Sequence, residues 1–169
     1  MNPSWVVRTG RLIMRPVSWS DLDDLRALKS DPEVFAIMLG GVRTRAQVAD
    51  ELADDIAFWG AQGVGMWAVR EIGSETFIGY VGLHERPDGR GVALRFALVP
   101  AAQGRGYASE AAAAAVRFGH EYAGLPHIIA VARESNFASR MVLGNIGMVE
   151  CDAYLRDGYR VIVYESMSG

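Results

Sequence analysis

Cysteine, histidine and lysine are scarce in this sequence of 169 residues. The lone cysteine, Cys151, cannot form an internal disulfide, which is typical of a reducing compartment such as the cytoplasm, and we expect its side chain to be buried. The three histidines are dispersed, so no metal site is predicted. The only lysine, Lys29, is not part of a Gly-Lys-Ser/Thr sequence, which excludes a Walker phosphate loop.

Long apolar runs and an excess of basic residues are also absent. No run approaches the ~18 apolar residues that a membrane-spanning helix needs, and residues 1–5 do not resemble the start of a signal peptide. The formal net charge of −3 disfavours binding to duplex nucleic acid. We therefore expect a soluble cytoplasmic protein that binds neither membrane nor nucleic acid.

Hydrophobic residues, in contrast, make up 50% of the chain. A chain of this length usually forms one domain and buries roughly 70% of its unfolded surface. No linker or repeat interrupts the sequence, and the alanine run 111–115 is its only low-complexity segment. We predict one domain over residues 1–169.

Alternating apolar residues and turn sequences predict an α/β domain with the element order β-α-α-β-β-β-α-β-α-β-β. Two helices follow capping-box-like sequences, Ser20 with Asp23 and Thr44 with Gln47. The other helices are predicted at 106–122 and 137–146, and the strands at 11–17, 66–71, 76–83, 92–99 and 127–133, with two more flanking Asp157-Gly158. The strand–helix–strand unit from 92 to 133 implies a parallel pair with a right-handed crossover, so the sheet is mixed.

The segment between the strand at 92–99 and the long helix has features of a phosphate site. Gly104 and Gly106 permit close approach to the backbone, and the first turn of a helix leaves N–H groups without intrahelical partners. Arg105 adds a positive charge. Two glycines also suit a plain strand-to-helix turn, and Ser109 stands where a Rossmann pattern has glycine or alanine. A generic nucleotide-binding domain stays an alternative.

The sequence Gln103-Gly104-Arg105-Gly106-Tyr107-Ala108 matches the Q/R-x-x-G-x-G/A acyl-CoA signature of the GNAT superfamily of N-acetyltransferases. Further matching stretches occur in the family's order, at 10–16, 30–34, 77–83, 104–111, 136–143 and 146–148. The chain resembles, within that superfamily, the ribosomal-protein N-terminal acetyltransferases. The resemblance implies a mixed sheet with helices on both faces and splayed central parallel strands.

The resemblance also implies acetyl-CoA as the acyl donor, with its pantetheine arm between the splayed strands. Backbone groups of Leu98 and Val99 are expected to pair with the pantetheine amides. The pyrophosphate is expected at the N–H groups of 103–108, with Ser109 on the first helical turn. Asn136 matches the family's asparagine that contacts the pantetheine arm, and Ser139 matches a serine of this branch near the sulfur, so Ser139 is a candidate proton donor to the leaving thiolate. Asparagine and serine are also favoured at the N-cap of a helix, so a purely structural role is open for both residues.

Three further predictions concern polar residues around the reacting groups. Arg140 is expected either to contact the CoA phosphates or to be solvated. His84 and Glu85 follow a strand on the side where an amine enters, so either is a candidate base, or they form a surface loop. His120 and His127 are expected to be structural.

Two departures from the family pattern concern the catalytic groups. Leu143 replaces a tyrosine that acts as general acid in many members, and Val92-Ala93-Leu94 lacks a glutamate that many relatives carry. A non-catalytic acyl-CoA-binding module of the same fold is therefore an alternative to an enzyme.

A site without a strong base favours an α-amine as acceptor, because roughly a third of an α-amine is neutral at pH 7.5, against about one part in a thousand of a lysine. We expect a protein N-terminus or a small amine, and a monomer or homodimer. The acceptor pocket is expected between the first two helices and the regions 38–41, 59–67 and 84–87. Three aromatic residues either line this pocket or belong to the core: Phe35, Trp59 and Trp67.

Overall fold

Eight strands form one open, mixed sheet in the computed structural model, which describes residues 2–169. The strand order is β1-β2-β3-β4-β5-β6-β8-β7, and β5 with β6 is the parallel pair within these residues. The strands are β1 Val7–Arg8, β2 Leu12–Pro16, β3 Met66–Glu71, β4 Phe77–Glu85, β5 Val92–Leu98, β6 His127–Arg133, β7 Val149–Arg156 and β8 Tyr159–Met167. The predicted mixed sheet is confirmed, and the two-residue β1 was not foreseen.

The helices are α1 Leu22–Lys29, α2 Pro32–Phe35, α3 Arg45–Gln62, α4 Tyr107–Arg117 and α5 Phe137–Asn145. The capping box of α3 is confirmed: the Thr44 N–H donates to Gln47 Oε1 at 2.8 Å, and the Gln47 N–H donates to Thr44 Oγ1 at 3.1 Å. The predicted cap at Ser20 is wrong. Ser18 takes that role, with its N–H donating to the Asp21 carboxylate at 2.9 Å, because a 3₁₀ turn at Trp19–Asp21 precedes α1.

The helix predicted at 106–122 ends as an α-helix at Arg117 and continues as a π-turn over Phe118–Tyr122. The Ala123 N–H donates to the Phe118 carbonyl at 3.0 Å, five residues back. Phe118 packs edge-on against Trp67, with ring centroids 5.1 Å apart. The wider turn therefore accompanies an aromatic contact with the sheet that sequence periodicity does not reveal.

The sheet is covered on both faces. On one face α4 presents three buried alanines, Ala111, Ala112 and Ala115, whose small side chains allow the helix to lie close to the strands. On the other face α1 and α3 pack against β3. Trp59 and Trp67 lie in the core, with centroids 5.0 Å apart.

Two glycines allow β4 to approach its neighbours closely. A Cβ on Gly82 would lie 2.3 Å from the Gly65 carbonyl oxygen, and a Cβ on Gly79 would lie 2.2 Å from that of Ala97. Both distances are well inside van der Waals contact with backbone atoms. The glycines of the 77–83 stretch are thus explained by strand packing.

The parallel strands β5 and β6 separate along their length. They share one paired position in the described chain, Ala93 opposite Ile129, whereas β4 and β5 are paired from Glu85–Val92 to Gly79–Leu98. β6 is held on its other side by β8 over its full length. The expected splayed strands are confirmed, and the gap between them widens toward their C-terminal ends.

Cys151 is exposed, contrary to the predicted buried thiol. It lies on β7, the edge strand of the sheet, where most side chains face solvent, and its Sγ is 3.6 Å from the Val163 carbonyl oxygen. Within residues 2–169, no helix has both the length and the apolar character needed to cross a bilayer.

Candidate active site

A cleft of about 420 Å³ opens where β5 and β6 part. One wall consists of the two splayed strands and the start of α5, and the opposite wall consists of α1, α3 and the segment after α2. The three predicted regions 38–41, 59–67 and 84–87 all contribute residues, and Phe35 also lines the cleft. Trp59 and Trp67 do not, because both belong to the core.

The loop before α4 exposes unpaired backbone N–H groups. Gly104 and Gly106 have φ angles of 76° and 78°, in the left-handed region that favours glycine. The residues from Gln103 to Gly106 are exposed, and no acceptor within residues 2–169 bonds the N–H groups of 104–109. These donors lie at the positive end of the α4 dipole, an arrangement that suits the anion predicted there.

Hydrogen bonds from the turn between β1 and β2 hold this loop in place. The Glu110 carboxylate accepts hydrogen bonds from Thr9 Oγ1 at 2.5 Å and from Arg11 Nε at 2.8 Å, and Arg11 also donates to the Arg105 carbonyl at 2.9 Å. Burial opposes the charge of Glu110, but these hydrogen bonds outweigh it and lower the pKa of the carboxyl group. Sequence analysis missed these hydrogen bonds, because the residues that they join lie about 100 positions apart.

The side chains of the loop have different orientations. Tyr107 is buried and donates its hydroxyl hydrogen to Glu71 at 2.7 Å, so only its backbone faces a ligand. The Arg105 side chain is half exposed, 3.5 Å from Glu71, and can reach an anion.

At the gap itself, Gln103 Nε2 donates to the Leu98 carbonyl at 3.1 Å. The Val99 N–H donates to the Ile78 carbonyl at 2.9 Å and therefore faces β4. Strand alternation turns the backbone of Leu98 toward the gap.

Asn136 and Ser139 both line the cleft. Asn136 is 7% exposed and is the N-cap of α5, with its Oδ1 accepting from the Ser139 N–H at 3.2 Å. Ser139 is therefore the third residue of α5 rather than its cap, and its hydroxyl has no hydrogen-bond partner within residues 2–169. Leu143, one turn further along the helix, closes the same wall without a polar group.

Arg140, in contrast, points away from the cleft. Its guanidinium donates to the Tyr164 hydroxyl at 2.9 Å, to the Glu134 carbonyl at 2.7 Å and to the Glu150 carboxylate at 2.9 Å. These contacts tie α5 to β7 and β8. The expected phosphate contact is not supported, because the donors of Arg140 are bound to the protein.

The two candidate bases at the end of β4 are on opposite faces of the strand. His84 lines the cleft, stacks on Phe58 at 4.1 Å and contacts the Glu85 carbonyl through Nδ1 at 2.9 Å. The Nε2 atom lies 3.7 Å from Asp55 Oδ1. The Glu85 side chain is exposed and does not line the cleft, because successive side chains of a strand alternate.

Carboxylates on α3 form the wall opposite β5, and sequence analysis missed them. Glu51 pairs with Lys29 at 2.8 Å and with Arg43 at 2.7 Å. Asp55 is 7% exposed, and burial raises its pKa despite the attraction of Lys29 and His84. A signal was present, because Asp55 interrupts the buried stripe of α3, three residues after Leu52.

The other histidines have structural partners. His120 Nδ1 lies 2.7 Å from the Leu125 carbonyl oxygen and its Nε2 lies 2.9 Å from Ser166 Oγ, while His127 Nε2 lies 2.8 Å from Glu165. In the described chain, no group of three or more His, Cys, Asp or Glu side chains is arranged to hold a metal ion.

Solved structures similar to this chain are acetyltransferases. An acetyltransferase from Agrobacterium tumefaciens is 26% identical, with a TM-score of 0.87 over 96% of this chain and 94% of that one. A Salmonella typhimurium enzyme that modifies the N-terminal serine of ribosomal protein L7/L12 is 16% identical, with a TM-score of 0.82 over 97% and 99%. The Vibrio cholerae spermidine N-acetyltransferase, in complex with CoA and spermine, is 16% identical, with a TM-score of 0.80 over 95% and 97%.

The sequence itself matches the acetyltransferase (GNAT) domain family over residues 11–149. That range contains β2 to β6, the loop before α4 and all of α5. The splayed strands and the glycine loop are thus the features of a known enzyme family, and the chain belongs to the GNAT acetyltransferases as an N-acetyltransferase.

Proposed function

We propose that this protein transfers the acetyl group of acetyl-CoA to a primary amine, and that an α-amine is preferred. The observation that carries the proposal is that β5 leads into the loop at 103–109 (the anion loop) and, with β6, borders the gap that opens into the cleft lined by His84. A cosubstrate bound along the gap has its phosphates at one end and its reacting group beside the cleft.

The residues present fit a CoA molecule. The N–H groups of 104–109 and the Arg105 side chain match a pyrophosphate. The Leu98 N–H faces the gap, where a pantetheine amide needs a partner, while the Leu98 carbonyl already accepts from Gln103 Nε2. The Asn136 Oδ1 caps α5, which leaves its amide NH₂ for a ligand carbonyl. Bound acetyl-CoA supplies a thioester whose carbonyl carbon an amine can attack.

The side chains of the cleft then have separate tasks in the transfer. His84 Nε2 accepts a proton from the acceptor, since its Nδ1 is bonded to a backbone carbonyl. The Ser139 hydroxyl donates a hydrogen bond to the sulfur as it becomes a thiolate. The apolar side chain of Leu143 excludes water from the surroundings of the sulfur.

Thermal unfolding with acetyl-CoA, CoA, NAD and ATP tests the donor. A ligand at a hundred times its Kd stabilises by ~2.7 kcal/mol, so we expect acetyl-CoA and CoA to raise Tm by roughly 5–10 °C. NAD and ATP should have no comparable effect. If no ligand raises Tm at millimolar concentration, the CoA site is refuted.

An acceptor screen that follows thiol release tests the reaction. The acceptors are a peptide with N-terminal serine, a free amino acid, spermidine and an N-terminally blocked peptide containing one lysine. We expect the α-amines to react faster than the lysine side chain, because more of an α-amine is neutral near pH 7.5. Faster reaction of the lysine contradicts the α-amine preference.

A CoA-binding module without catalysis is the second candidate, and Leu143 and Ala93 favour it because they are apolar where the family resemblance implies polar groups. The two assays separate the candidates. A rise in Tm with CoA but no thiol release from any amine supports the module.

A further inference from the structure

Asp55 is a buried carboxylate without a hydrogen-bond partner in the described part of the chain. It is 7% exposed, it lines the cleft, and His84 Nε2 lies 3.7 Å from its Oδ1. Buried carboxylates are normally paired or hydrogen-bonded, because leaving them unpaired is costly. The position of Asp55 therefore indicates a partner that arrives with a ligand.

His84 Nε2 and Asp55 Oδ1 are two hydrogen-bond acceptors that lie next to each other in the cleft. The contact of His84 Nδ1 with the Glu85 carbonyl at 2.9 Å requires the hydrogen to be on Nδ1, which leaves a lone pair on Nε2 of the neutral ring. The distance of 3.7 Å between Nε2 and Oδ1 exceeds that of a hydrogen bond. A primary ammonium has three N–H donors and can bond both atoms at once.

We propose that Asp55 and His84 form one acceptor site, in which the Asp55 carboxylate binds the ammonium form of the acceptor amine and His84 Nε2 takes a proton from it. This inference rests on the proposed acetyl transfer and specifies its acceptor as an amine that enters as a cation. Asp55 is then a binding residue and His84 the base.

The charges around Asp55 are consistent with this assignment. Lys29 from α1 and Arg95 from β5 attract its charge, His84 from β4 does so only when it is protonated, and Glu51 on α3 repels it. Burial outweighs these attractions and keeps the pKa of Asp55 above its ordinary value. A bound ammonium favours the ionised form, so acceptor binding should strengthen as pH rises through the pKa of Asp55.

The reaction balances with these groups. One ammonium proton moves to His84 Nε2, and the neutral nitrogen attacks the thioester carbonyl carbon to form the C–N bond. The C–S bond breaks, and the second proton lost by the nitrogen converts the thiolate to the thiol of CoA. The imidazolium returns its proton to solvent.

Kinetics of Asp55→Asn and His84→Gln test the two roles. Because a hydrogen bond to a charged group is worth ~1.5–3 kcal/mol, we expect Asp55→Asn to raise the amine KM about 10- to 100-fold and to leave the acetyl-CoA KM within about twofold. His84→Gln should lower kcat about 10²- to 10⁴-fold and recover at high pH, where more of the amine is neutral. Asp50→Asn is the matched control, since Asp50 is an exposed aspartate of the same helix. An unchanged amine KM in Asp55→Asn overturns the proposal.

NMR of the histidine rings tests binding without turnover. The probe is the fastest acceptor of the screen, or n-butylamine if no acceptor reacts, with the quaternary butyltrimethylammonium as a cation that lacks N–H donors. We expect the primary amine to shift the His84 signals in a saturable manner, and to leave His120 and His127 unchanged. The shift should disappear in Asp55→Asn and persist in Asp50→Asn.

Failure of the proposed acetyl transfer and failure of the proposed acceptor site give different experimental results. If the wild type acetylates no amine but His84 responds to n-butylamine through Asp55, the proposed function fails and the acceptor site stands. If the wild type turns over amines while His84 does not respond, or responds equally in Asp55→Asn, the acceptor site is wrong and the proposed function stands.

Discussion

The proposed anion loop at 103–109 and the proposed acceptor cleft are built in different ways. The loop is made of backbone: its N–H donors belong to a continuous segment, and glycines at 104 and 106 set its conformation. The cleft is made of side chains that come from α1, α3, β4, β5 and α5. Backbone donors hold a phosphate whatever the neighbouring side chains are, whereas the cleft changes its chemistry with each substitution. Under the proposed function, the loop therefore suits a fixed cosubstrate, and the cleft suits an acceptor that can differ from one protein to another.

The largest effect expected from this comparison is the loss of acetyl-CoA binding when the anion loop is distorted. Gly106→Val places a β-branched residue at φ 78°, which costs about 1–3 kcal/mol and displaces the N–H donors. We expect acetyl-CoA binding to weaken by at least about 100-fold in calorimetry, since several N–H contacts are lost together. Gly124→Val is the matched control, because Gly124 is also exposed and has φ 72°. Equal loss of binding in both variants would show that strain alone, rather than the loop, is responsible.

Ser139→Ala tests the proposed hydrogen bond to the leaving thiolate, between the gap of the cosubstrate and the acceptor cleft. Without the hydroxyl the departing thiolate lacks a donor, and we expect kcat to fall about tenfold or more, with little change in the amine KM. Ser135→Ala is the control, because Ser135 is exposed and precedes the cap of α5. An unchanged kcat, measured under conditions where chemistry limits turnover, would remove Ser139 from the mechanism.

Glu51→Gln tests whether the cleft wall depends on its ion pairs. Lys29 is 3% exposed, so the variant leaves a buried cation with a weaker partner. Removing a partner of a buried pair costs ~3–5 kcal/mol, and since Glu51 is one-third exposed we expect about 2–3 kcal/mol, or roughly 5–10 °C in Tm.

The pH dependence of that loss follows from the pKa of Glu51. Burial opposes its charge, but Lys29 and Arg43 outweigh burial and lower the pKa. The stabilisation is therefore present above the unfolded value of ~4.3 and is lost as pH falls through the folded pKa. Melting temperatures of wild type and variant should converge in acid, and a constant difference across pH would refute the ion-pair explanation.

The smallest expected effect is a gain in stability from Asp55→Asn. Burial raises the pKa of Asp55, so the folded state holds the proton more tightly than the unfolded chain and loses stability as pH rises through that pKa. We expect the variant to melt a few degrees higher than wild type at pH 8, and the difference to shrink near pH 4. Asp50→Asn should show neither effect. A lower Tm at pH 8 would indicate that Asp55 is needed to balance Lys29.

Apart from β1 and α2, the element order and the loop could be predicted from the sequence because local rules govern them. Thr44 with Gln47 specifies the start of α3, and Gly104 with Gly106 specifies a left-handed turn before α4, whatever the rest of the chain does. The cap of α1 was misassigned by two residues, because Ser18 with Asp21 and Ser20 with Asp23 offer the same local pattern. Local rules cannot choose between such neighbours.

By itself, then, the sequence determined most of the order of the secondary-structure elements along the chain, the glycine turn before α4 and the family to which the chain belongs. The tertiary structure alone decided which charged groups meet: it turned Glu85 away from the cleft, bound Arg140 to β7 and β8, and left Cys151 exposed. It also placed Asp55 beside His84, 29 positions later in the sequence. The physical reason is that a side chain's partners depend on how helices and strands pack, which is a property of the whole fold rather than of any short segment.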